Sequence, residues 1–343
     1  MMSKSSYRKH TFSAFCGLVQ RNFLVFFKNI PTVIFTLMVP LSIFAIYILF
    51  LRPMETQQIK SAIASALPEI IKDPDLMKQF YALADNWMIA GVLAVSCITV
   101  SLNTNYILVK DKENGMFRDM VSSPIDPAVI VMAYFTFNFL VTFMINTLVF
   151  FVCMIYLGVA HVFMISSFDF FAVVGVILFS SISASLITHF VCSFINSDAV
   201  MAPIVAIVSA AIGFLIGAYL PPSMMPRGIR YLTGFFPGTY SAGLFRVYLM
   251  STPTEKLLAN PKLSSHIDVI RQVVGQFNME IDESGHVSIY TEFFTSKVNE
   301  TWMSLVTFFV ILVFLFINIF VAKFRNAYAP LKDMAPKKEK QKK

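Results

Sequence analysis

Charged side chains are scarce in this sequence, and where they are missing says more than how few there are. Only 14% of the 343 residues are Asp, Glu, Lys or Arg, against about 25% in a soluble domain, and mean hydropathy is +0.69. Six stretches hold no charge at all: residues 31–51, 87–109, 128–157, 170–195, 199–220 and 302–322. A helix needs roughly 20 apolar residues to cross a bilayer, and each stretch has at least 21. A water-soluble domain is excluded. The expectation is an all-α polytopic membrane protein with six transmembrane helices.

The spans also lack what ion-coupled transport requires. Coupling ions need carboxylates or titrating groups at mid-membrane, and His189 is the only such side chain within the six stretches. A lone histidine near the inner end of span four reads as a hydrogen-bonded packing residue. There is no His-Glu-x-x-His, no paired-cysteine motif and no Gly-x-x-x-x-Gly-Lys-Ser/Thr loop. No catalytic or metal-binding residue is therefore assigned, and any ATP-driven function must borrow its motor from another polypeptide. A membrane-embedded acyl- or glycosyltransferase would need polar residues clustered at one interface, and His161, Asp169 and His189 are too sparse. The four cysteines, Cys16, Cys97, Cys153 and Cys192, lie in or beside apolar segments. That excludes a disulfide framework in the hydrophilic loops and leaves them as packing residues.

Lys and Arg gather at the two ends. Lys4, Arg8, Lys9, Arg21 and Lys28 precede the first span without an acid, and eight basic residues follow the last span against Asp333 and Glu339. The cytoplasmic side of a membrane protein is the basic side, so both termini are expected inside, which requires an even number of spans. The net charge of +7 thus implies no nucleic acid. The tail, residues 323–343 ending KKEKQKK, reads as solvated or laid against anionic membrane lipid. The first apolar run begins too far in, and is too long, for a cleavable signal peptide.

Within residues 1–30, Phe12 to Lys28 reads as an amphipathic interfacial helix, with Phe12, Phe15, Val19, Phe23 and Phe26 on one face. Residues 31–322 form the six-span domain. Outer loops of about 35 and 80 residues follow spans one and five. Ile59 to Ile71 is expected to be a short surface helix. Residues 251–300 are expected to form a small α+β extracellular insertion: a helix over Ser264 to Phe277, then a hairpin of Met279–Ile281 and Val287–Ile289 around Glu283-Ser284-Gly285. Span five carries Gly213 and Gly217, a spacing that lets helices approach closely. The segment from Gly217 to Arg246 holds Pro221, Pro222, Pro226 and Pro237, which stop a continuous helix. A re-entrant outer hairpin after span five is therefore preferred to a seventh crossing, because broken backbone at membrane depth is tolerated where protein covers it. The inner loop between spans two and three, Lys110 to Asp126, reads KDKENGMFRDMVSSPID. Charges there surround an apolar ridge of Met116, Phe117, Met120 and Val121. A short helix is expected, with Asp111 and Glu113 near its N-terminus, where the helix dipole favours carboxylates. Such a helix would offer a force-bearing knob to a cytoplasmic partner.

Together these features resemble the ABC-2 type permease family, the six-span membrane subunits of ATP-driven exporters. In the inner loop the resemblance rests on Glu113, Gly115, Phe117, Met120, Ser123 and Pro124. After span five it rests on Pro221, Pro226, Pro237, Thr239, Tyr240 and Arg246. Asn114, Met116 and Arg118 depart from the family's usual basic residue, Thr and acid. The resemblance covers roughly residues 12–325 and implies a permease paired with a separate ATP-binding cassette ATPase, usually two of each. This chain would then hold no cofactor, with ATP and Mg in the partner, and would lie in the cell membrane, by analogy a bacterial plasma membrane. Asp111, Glu113, Gly115, Met116, Phe117, Met120, Ser123 and Pro124 would form the coupling helix, and Asp198 a second, smaller contact. Pro221, Pro222, Pro226, Pro237, Tyr240 and Arg246 would form the outer gate. Spans one, two and five would line the path, and span five, with Gly213 and Gly217, would meet a second permease copy or paralogue. The 36 Phe and 19 Met residues suit hydrophobic drugs, lipids or antimicrobial peptides as cargo, although lipid-facing helices use the same residues. An ATP-independent channel or a membrane scaffold is the alternative.

Overall fold

The computed structural model describes residues 4–66, 68–219, 225–263, 267–275, 277, 279–281, 287–293 and 296–328. The chain runs α1 (Lys4–Lys28), α2 (Ile30–Ile46), a π-helical turn (Tyr47–Leu51), α3 (Arg52–Ala66), a 3-10 turn (Ile70–Lys72), α4 (Pro74–Thr104), α5 (Tyr106–Glu113) and α6 (Met116–Val121). Next come α7 (Pro127–Val159), α8 (Ser167–Ser193), α9 (Asp198–Leu215), α10 (Arg227–Thr233), α11 (Pro237–Leu258) and α12 (Ile267–Gly275). Two hairpins, β1 (Met279–Ile281) with β2 (Val287–Ile289) and β3 (Thr291–Phe293) with β4 (Ser296–Val298), lead into α13 (Glu300–Tyr328).

Among the described residues, six helical segments are long and apolar enough to cross a membrane, one for each uncharged stretch. The protein is a multi-pass membrane protein. Helix starts are marked locally: Asp73, Asp126, Ser166 and Ser197 accept backbone N–H bonds at the N-termini of α4, α7, α8 and α9. Proline follows at the first position of α4 and α7, where its missing N–H costs nothing.

The axis of the bundle is α4, against which α2, α7, α8, α9 and α11 pack. Every residue from Ala82 to Cys97 is buried, as expected of a helix apolar on all sides. Small residues make this crowding possible. At Gly91 a Cβ would stand 2.5 Å from the carbonyl oxygen of Ala218. By contrast α2, α9 and α13 turn large apolar side chains outward, among them Phe35, Ile207, Phe309 and Phe316.

The first crossing extends beyond Leu51, where its charge-free run ends. The π turn directs Tyr47 and Arg52 to one carboxylate, since the Arg52 N–H bonds the Tyr47 carbonyl. Tyr47 Oη and Arg52 Nε donate to Asp85 Oδ1 at 2.8 and 2.9 Å, and Arg52 Nη2 to Asp85 Oδ2 at 3.1 Å. Asp85 is fully buried. With the charge neutralised by its partner, the helix continues into α3 to Ala66, ending before the Ile71 limit of the expected surface helix.

Span five ends at Leu215, five residues before the expected limit. Gly217 adopts φ +65°. The Ala218 N–H bonds the Gly213 carbonyl at 2.7 Å, and the Gly217 N–H bonds Phe214 at 3.2 Å. This is the Schellman arrangement, which needs a left-handed residue at the helix end. The two glycines therefore do not share one helical face. The Cβ position of Gly213 is occupied by the Tyr219 ring of the same chain. Pro221 and Pro222 lie outside the described residues. Beyond them α10 and α11 form two helices joined at Gly234–Phe236. The start of α11 reaches inward along α4 to Ile98, which faces Gly238, and Arg246 lies level with Trp87.

Between α11 and α13, Ile270, Val273 and Val274 of α12 are buried, with Phe277 against Trp87 at 6.0 Å between ring centroids. The β1–β2 pair has the register Met279↔Ile289 and Ile281↔Val287. Its turn, including Glu283, Ser284 and Gly285, is outside the described residues. The β3–β4 hairpin has no counterpart in the sequence reading, because its strands do not alternate apolar and polar residues as β1 and β2 do. Residues 251–258, assigned from sequence to the insertion, complete α11 instead.

The contact at Gly91 carries a prediction. Gly91→Ala is expected to destabilise the purified protein by about 1–3 kcal/mol through overpacking against Ala218. Gly17→Ala, where a Cβ meets nothing within 4 Å, should be neutral or stabilising by up to about 1 kcal/mol. Thermal unfolding in detergent checks both, and equal midpoints for the two variants would contradict the packing.

Candidate functional site

Three consecutive residues at the end of α5 bind three different parts of the molecule. Asp111 is buried and turns toward α1 and α7. Its carboxylate accepts from both Arg21 Nη1 and Nη2, the latter at 2.8 Å, and from Tyr134 Oη at 2.5 Å. Its hydrogen bonds raise the Arg21 guanidinium above its ordinary pKa. Lys112 Nζ donates to the carbonyls of Cys192, Ser193 and Ile195 at 2.9, 2.7 and 3.2 Å. These carbonyls lie at and just beyond the C-terminus of α8, where acceptors lack a full set of helical partners. Glu113 accepts from Ser197 Oγ at 3.1 Å and from the Asp198 N–H at 3.2 Å, at the N-terminus of α9.

Helix dipoles explain the signs. A cation suits the negative C-terminal end of α8 and an anion the positive N-terminal end of α9, each worth typically 0.3–1 kcal/mol. Lys112 and Glu113 complement both ends of the α8–α9 turn, and Tyr106 Oη adds a bond to Asp198 Oδ2 at 2.7 Å. The two carboxylates expected to serve the short helix α6 serve other elements instead, because α5 continues the line of α4 and holds them against its neighbours.

Gly115, at φ +81°, reverses the chain into α6. The apolar ridge of that helix divides. Phe117 lies against Tyr134 at 6.0 Å between centroids, and Met120 Sδ lies 3.7 Å from Tyr134 Oη. Met116 is 43% exposed. Arg118, Asp119, Ser122 and Pro124 are also exposed, and Ser123 bonds back to the Met120 carbonyl at 2.5 Å. Helical spacing identified a shared face but not that α7 covers most of it. The outward charges Arg118 and Asp119 stood in the sequence run but were not singled out as site residues.

At the other end, Pro226 precedes α10 and Pro237 opens α11. Thr239 Oγ1 donates to the Thr233 carbonyl at 2.5 Å and Tyr240 Oη to Gly234 at 2.7 Å, which fastens the α10–α11 turn. Arg246 is buried and donates through Nη2 to the Gly217 carbonyl at 2.6 Å. His161, His189 and Asp169 do not converge. His189 joins a buried network with Asn105, Ser101, Asn138, Ser185 and Thr188. Asp169 accepts from Ser166, Ser251 and Thr252, and His161 sits in the α7–α8 connection. Among the described residues no group of three or more His, Cys, Asp and Glu could hold a metal.

One cavity of about 320 Å³ lies between α4, α8, α9 and the start of α11. Its walls are mainly aliphatic, including Ala94, Ile98, Leu102, Ile187, Ile207 and Leu215, with hydroxyls from Ser180, Ser183, Thr188 and Ser241. Sequence spacing offered no signal for it, since its four walls are far apart in the chain.

The sequence model of the family described as ABC-2 family transporter protein matches residues 55–318. No curated protein and no solved structure matches the chain.

The inner cluster is tested by Asp111→Asn. Weakening the Arg21 pair and the Tyr134 bond is expected to lower unfolding free energy by about 1–3 kcal/mol. In an Arg21→Met background the same change should cost distinctly less, because the pair is already broken. Additive losses in the double-mutant cycle, read by thermal unfolding, would show that Arg21 and Asp111 do not act together.

Proposed function

We propose a function from one premise: this chain belongs to the ABC-2 transporter family. Members are membrane subunits served by an ATP-binding cassette ATPase. This chain is then the permease of an ATP-driven exporter, and ATP and Mg bind the partner. Both termini lie in the cytoplasm of the cell membrane, on the side of the basic residues. The segment 111–124, with Asp198 nearby, is the coupling site. The ATPase grips the exposed surface of α6, chiefly Met116, Arg118, Asp119 and Pro124, while Gly115, Phe117, Met120 and Ser123 shape and seat the helix.

The observation that carries this reading is the triple attachment of Asp111, Lys112 and Glu113. A push on α6 reaches α1 and α7 through Asp111, and the α8–α9 turn through Lys112 and Glu113. A solvated loop would need none of these bonds. ATP binding closes the ATPases, the coupling helices follow, and the bundle exchanges an inward-facing for an outward-facing state of different cargo affinity. The helices α10 and α11 act as the re-entrant outer hairpin and gate, with Pro226, Pro237, Tyr240 and Arg246 in its frame and Pro221 and Pro222 leading into it. The element formed by α12 and the hairpins faces outside. A second permease copy or paralogue meets the exposed side of α9, and cargo is hydrophobic or amphiphilic: a drug, a lipid or an antimicrobial peptide.

Arg118→Glu together with Asp119→Lys reverses the charges of the exposed α6 surface and leaves the bonds of Asp111, Lys112 and Glu113 in place. Co-purification of the ATPase is expected to fall about tenfold or more, equivalent to ~1.4 kcal/mol, with the unfolding midpoint of the permease unchanged. Undiminished ATPase binding and transport in this variant would contradict the assignment.

A further inference from the structure

A short turn, Phe194 to Ser197, joins α8 to α9, yet the two helices pack on α4 and hardly on each other. The space between them belongs to the cavity of about 320 Å³. Ser180, Ala184 and Ile187 form its wall on α8, and Ile204, Val208 and Ala211 its wall on α9. Each set recurs at spacings of four and three, so each is a single helix face. Ser180 and Ala211 stand equally far along their helices from the turn, and their small side chains leave the gap unfilled. Phe236 and Gly238, at the start of α11, complete the lining.

The chemistry of these walls is neutral but not wholly apolar. Among the described residues no acid, lysine, arginine or histidine lines the cavity, so an ion placed there would go unpaired. Ser180 is 1% exposed, and its buried Oγ has no hydrogen-bond partner. A helical serine or threonine can bond a carbonyl one turn back, as Thr188 does with Ala184 at 2.9 Å. A buried hydroxyl left unpaired is costly, and an uncharged donor or acceptor carried in by a ligand would relieve that cost. Ser183 and Ser241 add further hydroxyls to the lining.

The way in is sideways. Val191 and Ile207 also line the cavity and are exposed on the outside of the bundle, one on each of two membrane-crossing helices. The mouth therefore faces lipid. An α-helix is about 10 Å across with its side chains, so a second protein chain could cover this mouth but not occupy the cavity. The volume suits a small molecule instead, at the lower end of the roughly 300–1,000 Å³ usual for such sites.

We infer that the cavity binds an uncharged single-chain amphiphile, such as a fatty alcohol or a fatty ester, taken up from the bilayer between α8 and α9. The hydrocarbon lies along the aliphatic walls, and the hydroxyl or ester oxygen meets Ser180 or Ser183. Binding belongs to this chain alone; that the ligand is cargo rests on the function proposed above.

The full chain in phosphatidylcholine nanodiscs is photolabelled with decanol carrying a mid-chain diazirine. The matching decyl phosphate, decyl trimethylammonium and plain alkane are used separately, all compared at equal mole fraction in the bilayer. Labelled residues are read by mass spectrometry. Saturable labelling of the facing walls of α8 and α9 is expected at about tenfold lower mole fraction for the alcohol than for either charged probe. Ala211→Phe, which fills the gap, should lower that labelling about tenfold. Ser180→Ala with Ser183→Ala should remove the advantage of the alcohol over the alkane. Equal labelling by neutral and charged probes, unchanged labelling in folded Ala211→Phe, or an alcohol advantage that survives loss of both serines overturns the site. Should Ala211→Phe fail to fold, Ile207→Trp at the exposed mouth replaces it, and unchanged labelling there overturns the site instead. Labelling confined to dissociated single chains would show that a second copy closes the cavity, and overturns it likewise. With ATPase and ATP added, labelling should fall, whereas unchanged labelling overturns the cargo assignment in favour of a resident ligand. Failure of the ATPase to bind, with labelling intact, counts against the proposed permease role alone.

Discussion

Everything at the α5–α6 end of this bundle depends on the need to satisfy charges and helix ends where water is thin. The last carbonyls of α8 and the first N–H groups of α9 meet in a short turn, where Ser197 caps the Ala199 N–H and leaves other helix-end groups to be met. Lys112 and Glu113 supply the missing partners from the neighbouring loop. Asp111, one residue earlier, closes on Arg21 and Tyr134. Adjacent side chains on a helix point in different directions, so three in succession reach three separate elements. Satisfying the helix ends and uniting the loop with the bundle are one and the same arrangement.

The outer end solves a similar problem differently. Buried Asp85 is paired with half-buried Arg52, with Tyr47 brought into range by a π turn. Arg246 is buried without such a pair and leans on the carbonyl terminus of α9 and on Trp87. A closed ion pair reads as scaffold, because removing either partner strands the other. The Ala218 backbone that presses on Gly91 follows directly on the left-handed turn at Gly217. That turn therefore serves both the close approach to α4 and the carbonyl that Arg246 bonds.

Much of the architecture was legible in the sequence because a lipid environment leaves a coarse mark. A crossing must be long and free of charge, and all six were found on that basis, whereas α12 and the β1–β2 hairpin showed in apolar periodicity and alternation. What escaped depends on contacts between distant residues. The run to Ala66 depends on Asp85 neutralising Arg52, which no local pattern announces. Gly213 and Gly217 have the spacing of a helix-packing motif, yet one is filled by Tyr219 and the other turns the chain. Asp111 and Glu113 were identified as important for the loop, but their partners, at Arg21, Tyr134, Ser197 and Asp198, lie up to 90 residues away. The ridge of α6 showed its periodicity and hid which side α7 occupies. The cavity and the isolation of Arg246 left no trace in the sequence at all.

The central claim is that α6 and the α8–α9 turn move as one body. Spin labels on cysteines introduced at Met116 and Val200, both exposed, in a background freed of the four native cysteines, measure this by pulsed electron resonance on the permease with its ATPase. The account predicts the same distance in the nucleotide-free and ATP-bound states, with the distribution broadening only when Lys112→Met and Glu113→Gln are introduced together. A distance that shifts with ATP in the otherwise unaltered protein would show that the loop slides over the turn, and would contradict the account.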